Sequence, residues 1–492
     1  MLAAACCSCQ KGGGSTPPVP AFDPETFVHF YFADAYVGLR PGEQRPLDIR
    51  CHGASYDREA NLAEMLYGSS APEVVSVSDD GVLTAHAPGC AVIRATSVNS
   101  ETQQLPVRVF PEDFVRYQNP TGDRLPVLGW YSLMPPNITR ENYRTMAEAG
   151  FNLSFSHIWS RAENLAALDA ADGTGISLML MDLDANRTNL PDVAQAYRSH
   201  PAFAGYWLYD EPSVAQIGEL NAWNTALRSA DREHFTYVNL LPDYSSTRLW
   251  GCSGFYEYFS RAASELNVNF LSFDYYPVMN GTMRRSFYSC YETVKSLCDA
   301  HALPFWAFGM SCQHRTYDRP GEANLKFEIY TALAYGAQGI QYFTYQTPVG
   351  TVEPFGIAPV DAEGRTTEVY ACVQRINAEL SAIGHLFLGA SSVRRMFLGE
   401  LPAGMTGFSY HPAKLPAPVT GVSADGEGVL LSHLCNGERE YLMLVNRSFS
   451  AAQTITLDFS GTLERILPDG RTEPASRSVP LPAGDMLLYR TR

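Results

Sequence analysis

The chain has 492 residues, too many for one compact domain and enough for two or three. Its formal net charge of −16 argues against nucleic acid or an anionic membrane surface as partner, and disfavours a polyanionic glycan. No apolar run of about 18 residues or more is present, which excludes a transmembrane helix.

Residues 1–21 begin Met1-Leu-Ala-Ala-Ala-Cys-Cys-Ser-Cys and pass into a Gly/Ser/Thr/Pro linker over 11–20. Small residues leading into cysteine resemble the end of a bacterial lipoprotein signal. The resemblance makes Cys6 the expected lipid-carrying residue and implies export to a bacterial cell envelope, periplasmic or cell-surface. A metal-binding cysteine tract is the alternative. The other eight cysteines show no CxxC pair and no zinc spacing, so buried thiols are expected.

Residues 22–112 alternate apolar and polar in short runs, as in Gln104-Leu-Pro-Val-Arg-Val-Phe110, and predict a β-sandwich. Within it, Ser69 to Ser97 resembles the bacterial Ig-like group 2 module, with Asp79-Asp80-Gly81 as a hairpin turn and Pro88-Gly89 as the next turn. The resemblance implies a spacer and no chemistry.

Residues 120–390 alternate strand and helix eight times. Strands are predicted at Val127–Ser132, Phe151–His157, Ile176–Asp182, Ala204–Asp210, Phe235–Leu241, Phe270–Asp274, Phe305–Met310 and Gly339–Tyr345, with helices such as Arg140–Ala149 between them. Eight such units in about 260 residues match a closed (β/α)8 barrel. A doubly wound open sheet is disfavoured, because no Gly-rich phosphate loop follows the first strand. Residues 392–492 return to antiparallel strands, as in Glu440-Tyr-Leu-Met-Leu-Val-Asn-Arg447, and predict a second β-sandwich.

In such a barrel, active sites form at the C-terminal ends of the strands. The fourth strand ends in Asp210-Glu211-Pro212, two adjacent carboxylates beside Trp207 and Tyr209. A helix cap would also place acids here. The other ends carry Trp130 and Tyr131; His157 and Trp159; Asp182 and Asp184; Asn239 and Asp243; Asp274, Tyr275 and Tyr276; Gln313 and His314; Tyr345 and Gln346. Carboxylates, amides and rings on one rim suit a sugar: acids move protons and rings stack on pyranose faces. His157 reads equally well as a core histidine. Asp182 and Asp184 read as helix caps or, with less support, as calcium ligands. No metal or cofactor is expected.

This barrel resembles the glycoside hydrolase (trans-glycosidase) superfamily, near the clan of β-galactosidases. In that clan a triplet at strand four supplies the acid/base glutamate. Glu211 matches that residue, and Asp210 replaces the usual asparagine. The clan's nucleophile is a second glutamate at the end of strand seven, where this chain has no acid before Asp318. If Gln313 takes that place, the covalent route is unavailable. Three substitutes are open. Asp274 can act as base opposite Glu211 with inversion. Asp210 can orient a 2-acetamido group in a substrate-assisted reaction, with Tyr275 supporting the intermediate. A loop acid, Glu353 or Asp318, can fold in. The expectation is a glycoside hydrolase of neutral oligo- or polysaccharides; the alternative is a catalytically silent carbohydrate-binding surface protein.

Overall fold

The computed structural model describes residues 30–51, 65–97, 100–158, 160–182, 189–351 and 354–492. Cys6, Trp159, Asp184 and Glu353 lie outside them. Eight parallel strands close into a barrel: β1 (Val127–Trp130), β2 (Leu153–Phe155), β3 (Ser177–Leu180), β4 (Phe203–Asp210), β5 (Phe235–Leu240), β6 (Leu271–Phe273), β7 (Phe305–Met310) and β8 (Ile340–Phe343). Each bonds to its sequence neighbours, and β8 closes on β1 from Val127↔Ile340 to Trp130↔Phe343. All eight fall inside the predicted runs or one residue beyond them.

The strands are apolar on both faces because both are covered. Leu128, Leu153, Phe235, Trp306 and Phe308 fill the barrel interior. Val127, Leu178, Phe273 and Ile340 point outward, under the helices. The helices are α1 (Arg140–Glu148), α2 (Arg161–Ala171), α3 (Leu190–Tyr197), α4 (Ile217–Ala230), α5 (Phe255–Glu265), α6 (Phe287–Ala300), α7 (Glu322–Ala334) and α8 (Glu368–Ile383). Several begin where a hydroxyl can accept an orphan N–H: Thr139 caps α1, and Ser160 caps α2.

Strand β4 departs from simple alternation. Its pairing with β5 slips between Trp207 and Tyr209, a bulge in which Leu208 is the extra residue. Ala204 and Trp207 face the interior, whereas Tyr206, Leu208 and Tyr209 pack on the helix side. Strict alternation after Trp207 would turn Tyr209 inward and Asp210 outward. The bulge reverses this and delivers Asp210 to the barrel mouth, opposite Asn239.

Separate antiparallel sheets flank the barrel as β-sandwiches on either side in sequence. The N-terminal one has its own core, built on Phe30, Ile49, Val75, Leu83, Ile93 and Val107. Val75–Val77 and Val82–Ala85 pair across Asp79-Asp80-Gly81, where Gly81 takes the positive φ of 79° that the turn requires. The C-terminal sandwich docks on barrel helices: Lys326 of α7 reaches Asp485 at 3.0 Å, and Arg395 grips Glu292 of α6 at 2.9 and 3.0 Å.

Candidate active site

A cleft of about 600 Å³ opens at the C-terminal mouth of the barrel. Its walls come from the ends of β1, β4, β5, β6, β7 and β8 and the loops beyond, and its acids are Asp210, Glu211 and Asp274. Two other cavities, of about 470 and 790 Å³, lie where the N-terminal sandwich meets α6 and the chain entering the C-terminal sandwich. They hold salt-bridged charges such as Asp34–Arg45 and Lys295–Asp299, and we assign them no chemistry.

Two neighbours on a strand normally face opposite ways, yet Asp210 and Glu211 both line the cleft. The backbone explains it: Glu211 sits at φ 52°, in the left-handed region that costs a non-glycine residue about 1–3 kcal/mol. Its N–H still completes the ladder to the Asn239 carbonyl at 2.9 Å, and Tyr258 anchors the next carbonyl, Pro212 O, at 2.8 Å. Packing therefore holds a strained turn that aims both acids at one space.

Asn239 joins strand four to strand six. Its Nδ2 donates to Asp210 Oδ1 and to Asp274 Oδ1, each at 3.1 Å, so these oxygens lie no farther apart than twice that distance. Its Oδ1 accepts from Ser272 Oγ at 3.0 Å, which fixes the amide with both N–H bonds toward the acids. Ser272 is held by Gln341 Nε2 at 2.8 Å, and Tyr237 contacts both, at 2.7 and 2.6 Å. This chain of buried polar groups runs through the barrel core.

Asp274 is 9% exposed at the cleft floor, while Asp210 and Glu211 remain reachable from solvent. Loss of hydration between the cleft walls raises Asp210 to about 6, against the pull of the Asn239 hydrogen bond. The same loss, with the charge of Asp210 beside it, raises Glu211 to about 7. Asp274 is driven well above the carboxylate range by burial and by its two acidic neighbours. Three carboxyls this close do not all ionise at neutral pH. The arrangement can hold a proton on one group and a negative charge on another, as acid–base chemistry at a single bond needs.

Aromatic rings form the walls. Tyr276 stands edge-on to Tyr317 at 5.6 Å, and Arg284 lies 3.8 Å over the Tyr244 ring while donating to Tyr276 O and Tyr317 Oη. On the opposite side Tyr131, at φ 41°, stacks on His157 at 3.9 Å with the rings 8° apart. Burial lowers His157 to about 4, so this ring is neutral.

No protein-family model matches the chain, and no curated protein matches it. Solved structures do. The β-galactosidase from Bacillus circulans sp. alkalophilus is similar with a TM-score of 0.55 and 10% identity, over 75% of this chain and 99% of that one. A catalytic mutant of a family 42 β-galactosidase from G. stearothermophilus gives 0.52 and 10%, over 77% of this chain and 100% of that one. The shared feature is the fold. It is a closed (β/α)8 barrel flanked by β-sandwich domains.

Of the residues singled out from the sequence, Asp210, Glu211, Asp274, Trp130, Asn239, Tyr276 and His314 come together at the cleft. His157 lies behind Tyr131 as its stacking partner. Other described candidates lie away from the cleft. Asp182 is committed to Arg161 and Tyr197, at 2.9 and 2.8 Å, on the helix side. Tyr275 points outward, bonded to Ser286 at 2.9 Å and packed on Phe287, so it has no reach to a reaction intermediate. Tyr345 packs against Phe151 outside the barrel. Gln346 is spent on Met134 N and Ala362 O. Gln313 is an exposed loop residue beyond the strand, and Phe308 and Met310 are the residues that β7 turns into the cleft. Asp318 binds the backbone N–H of Gly281 and does not fold in.

The reading of strand ends missed Tyr244, Tyr317, Arg315 and Phe355, all of which line the cleft. They sit on loops past β5, β7 and β8, where no periodicity marks direction. Only the position of Tyr244 next to Asp243 carried a hint.

Proposed function

We propose that the protein is a glycoside hydrolase acting on a neutral oligo- or polysaccharide, with Glu211 as general acid and the Asp210–Asp274 pair as base. The observation that supports this most is the gathering of three carboxyls with raised proton affinities in one aromatic-walled cleft at the barrel mouth. Glu211 donates its proton to the glycosidic oxygen as the anomeric C–O bond breaks. Water forms the new bond to the anomeric carbon and gives its proton to the ionised member of the pair. With no carboxylate on β7, this displacement is a single step, which inverts the anomeric centre.

Aryl glycosides of galactose, glucose, mannose and N-acetylglucosamine test the proposal. Glu211→Gln should lower kcat/KM by ~10²–10⁴-fold on whichever is cleaved. Equal product release by both proteins sinks it. A second reading, a catalytically silent carbohydrate-binding protein, rests on β7 giving the cleft Phe308 and Met310 and no carboxylate. Oligosaccharide binding by wild type and Glu211→Gln alike, with no turnover by either, would select it.

The remaining residues fit an exported protein: a group 2 Ig-like spacer around Ser69–Ser97 and a lipid on Cys6, holding the cleft outside the cytoplasmic membrane. Detergent-phase partitioning that Cys6→Ser leaves unchanged would remove the anchor.

A further inference from the structure

We infer that Asn239 is a positioning residue that keeps the Asp210–Asp274 pair able to carry a charge in the cleft, through an amide locked by Ser272. The inference rests on the glycosidase reading for its purpose, though not for its physics. Each N–H of the Asn239 amide is used on a different carboxylate, and its oxygen is occupied by Ser272. A flipped amide would put its oxygen against two acids and its N–H bonds against the Ser272 hydroxyl, which Gln341 already supplies with a donor. The core network therefore permits one orientation, and that orientation favours the ionised pair.

The surroundings offer no substitute. The hydroxyls of Tyr131, Tyr237, Tyr244, Tyr258 and Tyr276 and the thiol of Cys290 lie within electrostatic reach of one or more of these acids. Among the described residues, no arginine or lysine forms an ion pair with any of the three. Asn239 is the group whose hydrogen bonds lower the proton affinity of both Asp210 and Asp274. It acts on them and not on the sugar, so its loss should appear in proton affinity before it appears in binding.

The test is direct titration of the carboxyls by carbonyl-edited NMR of the full chain, labelled at aspartate, in wild type, Asn239→Leu and Ser272→Ala. Asn239→Leu keeps the volume and deletes both donors. The pair's apparent pKa should rise by one unit or more, about tenfold in proton affinity. Ser272→Ala, which frees the amide to turn, should move it the same way by less. Where hydrolysis is measurable, the acidic limb of kcat/KM against pH should move upward with the titration, and KM should change little. Unchanged titration in folded Asn239→Leu overturns the inference. If that variant fails to fold, unchanged titration in Ser272→Ala does so. A shifted titration without hydrolysis of any glycoside would leave the positioning role standing and remove the glycosidase reading instead.

Discussion

At the scale of single residues, the cleft works by keeping carboxyls from behaving alike. Burial pushes all three upward, with the charge of neighbouring acids adding to it at Glu211 and Asp274, but Asn239 pulls back only Asp210 and Asp274, so Glu211 is left without that help. An acid–base pair then operates in a narrow window. Activity should rise as pH passes through about 6, where Asp210 ionises beside Asp274, and fall through about 7, where Glu211 gives up its proton. A kcat/KM profile that is flat from about pH 4 to pH 9 (about two units beyond either value) would contradict the assignment. Glu211 and Asp274 were legible as strand-end acids. The protonation order was not, because it depends on burial and on neighbours that come from other strands.

At the scale of elements, β4 carries the site, and the β4–β5 contact is the part that sets it. Gly205 lies where a Cβ would sit 2.5 Å from the Phe235 carbonyl and 2.8 Å from its ring. Gly205→Ala should force β4 away from β5 and disturb the Asp210–Asn239 register at the far end of the strand. The expected cost is about 1–3 kcal/mol, as for other overpacking changes, with turnover falling although no acid is touched. Thermal unfolding and aryl-glycoside turnover on the same protein check it; wild-type values for both would show that the strands have slack. The extent of β4 could be read from Phe203-Ala-Gly-Tyr-Trp-Leu-Tyr-Asp, but which of its side chains face inward could not. The bulge at Leu208 forms against the partner strand, and alternation alone chooses Tyr209 over Asp210. Tyr275 and Tyr345 were misplaced for a related reason. At a strand end, one residue decides between mouth and helix layer, and that residue is set by register.

At the scale of the whole molecule, the two sandwiches meet each other as well as the barrel. Glu440 of the C-terminal sandwich accepts from Tyr31 at 2.6 Å and Arg50 at 3.0 Å, both from the N-terminal one, and pairs with His433 at 2.8 Å. Its oxygens are thus committed to neighbours, although His433, Cys435 and Glu440 lie close enough to resemble a metal site. Burial would raise its carboxyl, but the hydrogen bonds and charge of His433, with Tyr31 and Arg50, outweigh that and bring it to about 2. A depressed carboxyl stabilises the fold above its ordinary 4.5, and this contribution is lost as pH falls toward about 2. Glu440→Gln removes one of the two carboxylates on Arg50, leaving its pair with Asp48, and should cost about 1–3 kcal/mol. It should also flatten the acid dependence of the first unfolding transition, with turnover at the distant cleft unchanged. Urea unfolding from pH 7 to pH 3 measures both effects, and identical curves for variant and wild type would dismiss the clamp.

The sequence by itself determined the order of domains, the eight strands of the barrel and the strand ends that carry acids. Those depend on local periodicity and on turn residues, which act over a few positions. The tertiary structure alone decided which strand-end residues share a cleft, that β7 presents Phe308 and Met310 to it, and that Asn239 ties two carboxylates together. Those outcomes follow from register, a bulge and a left-handed residue. Each is set by contact with a strand dozens of residues away, and no local pattern in the chain encodes it.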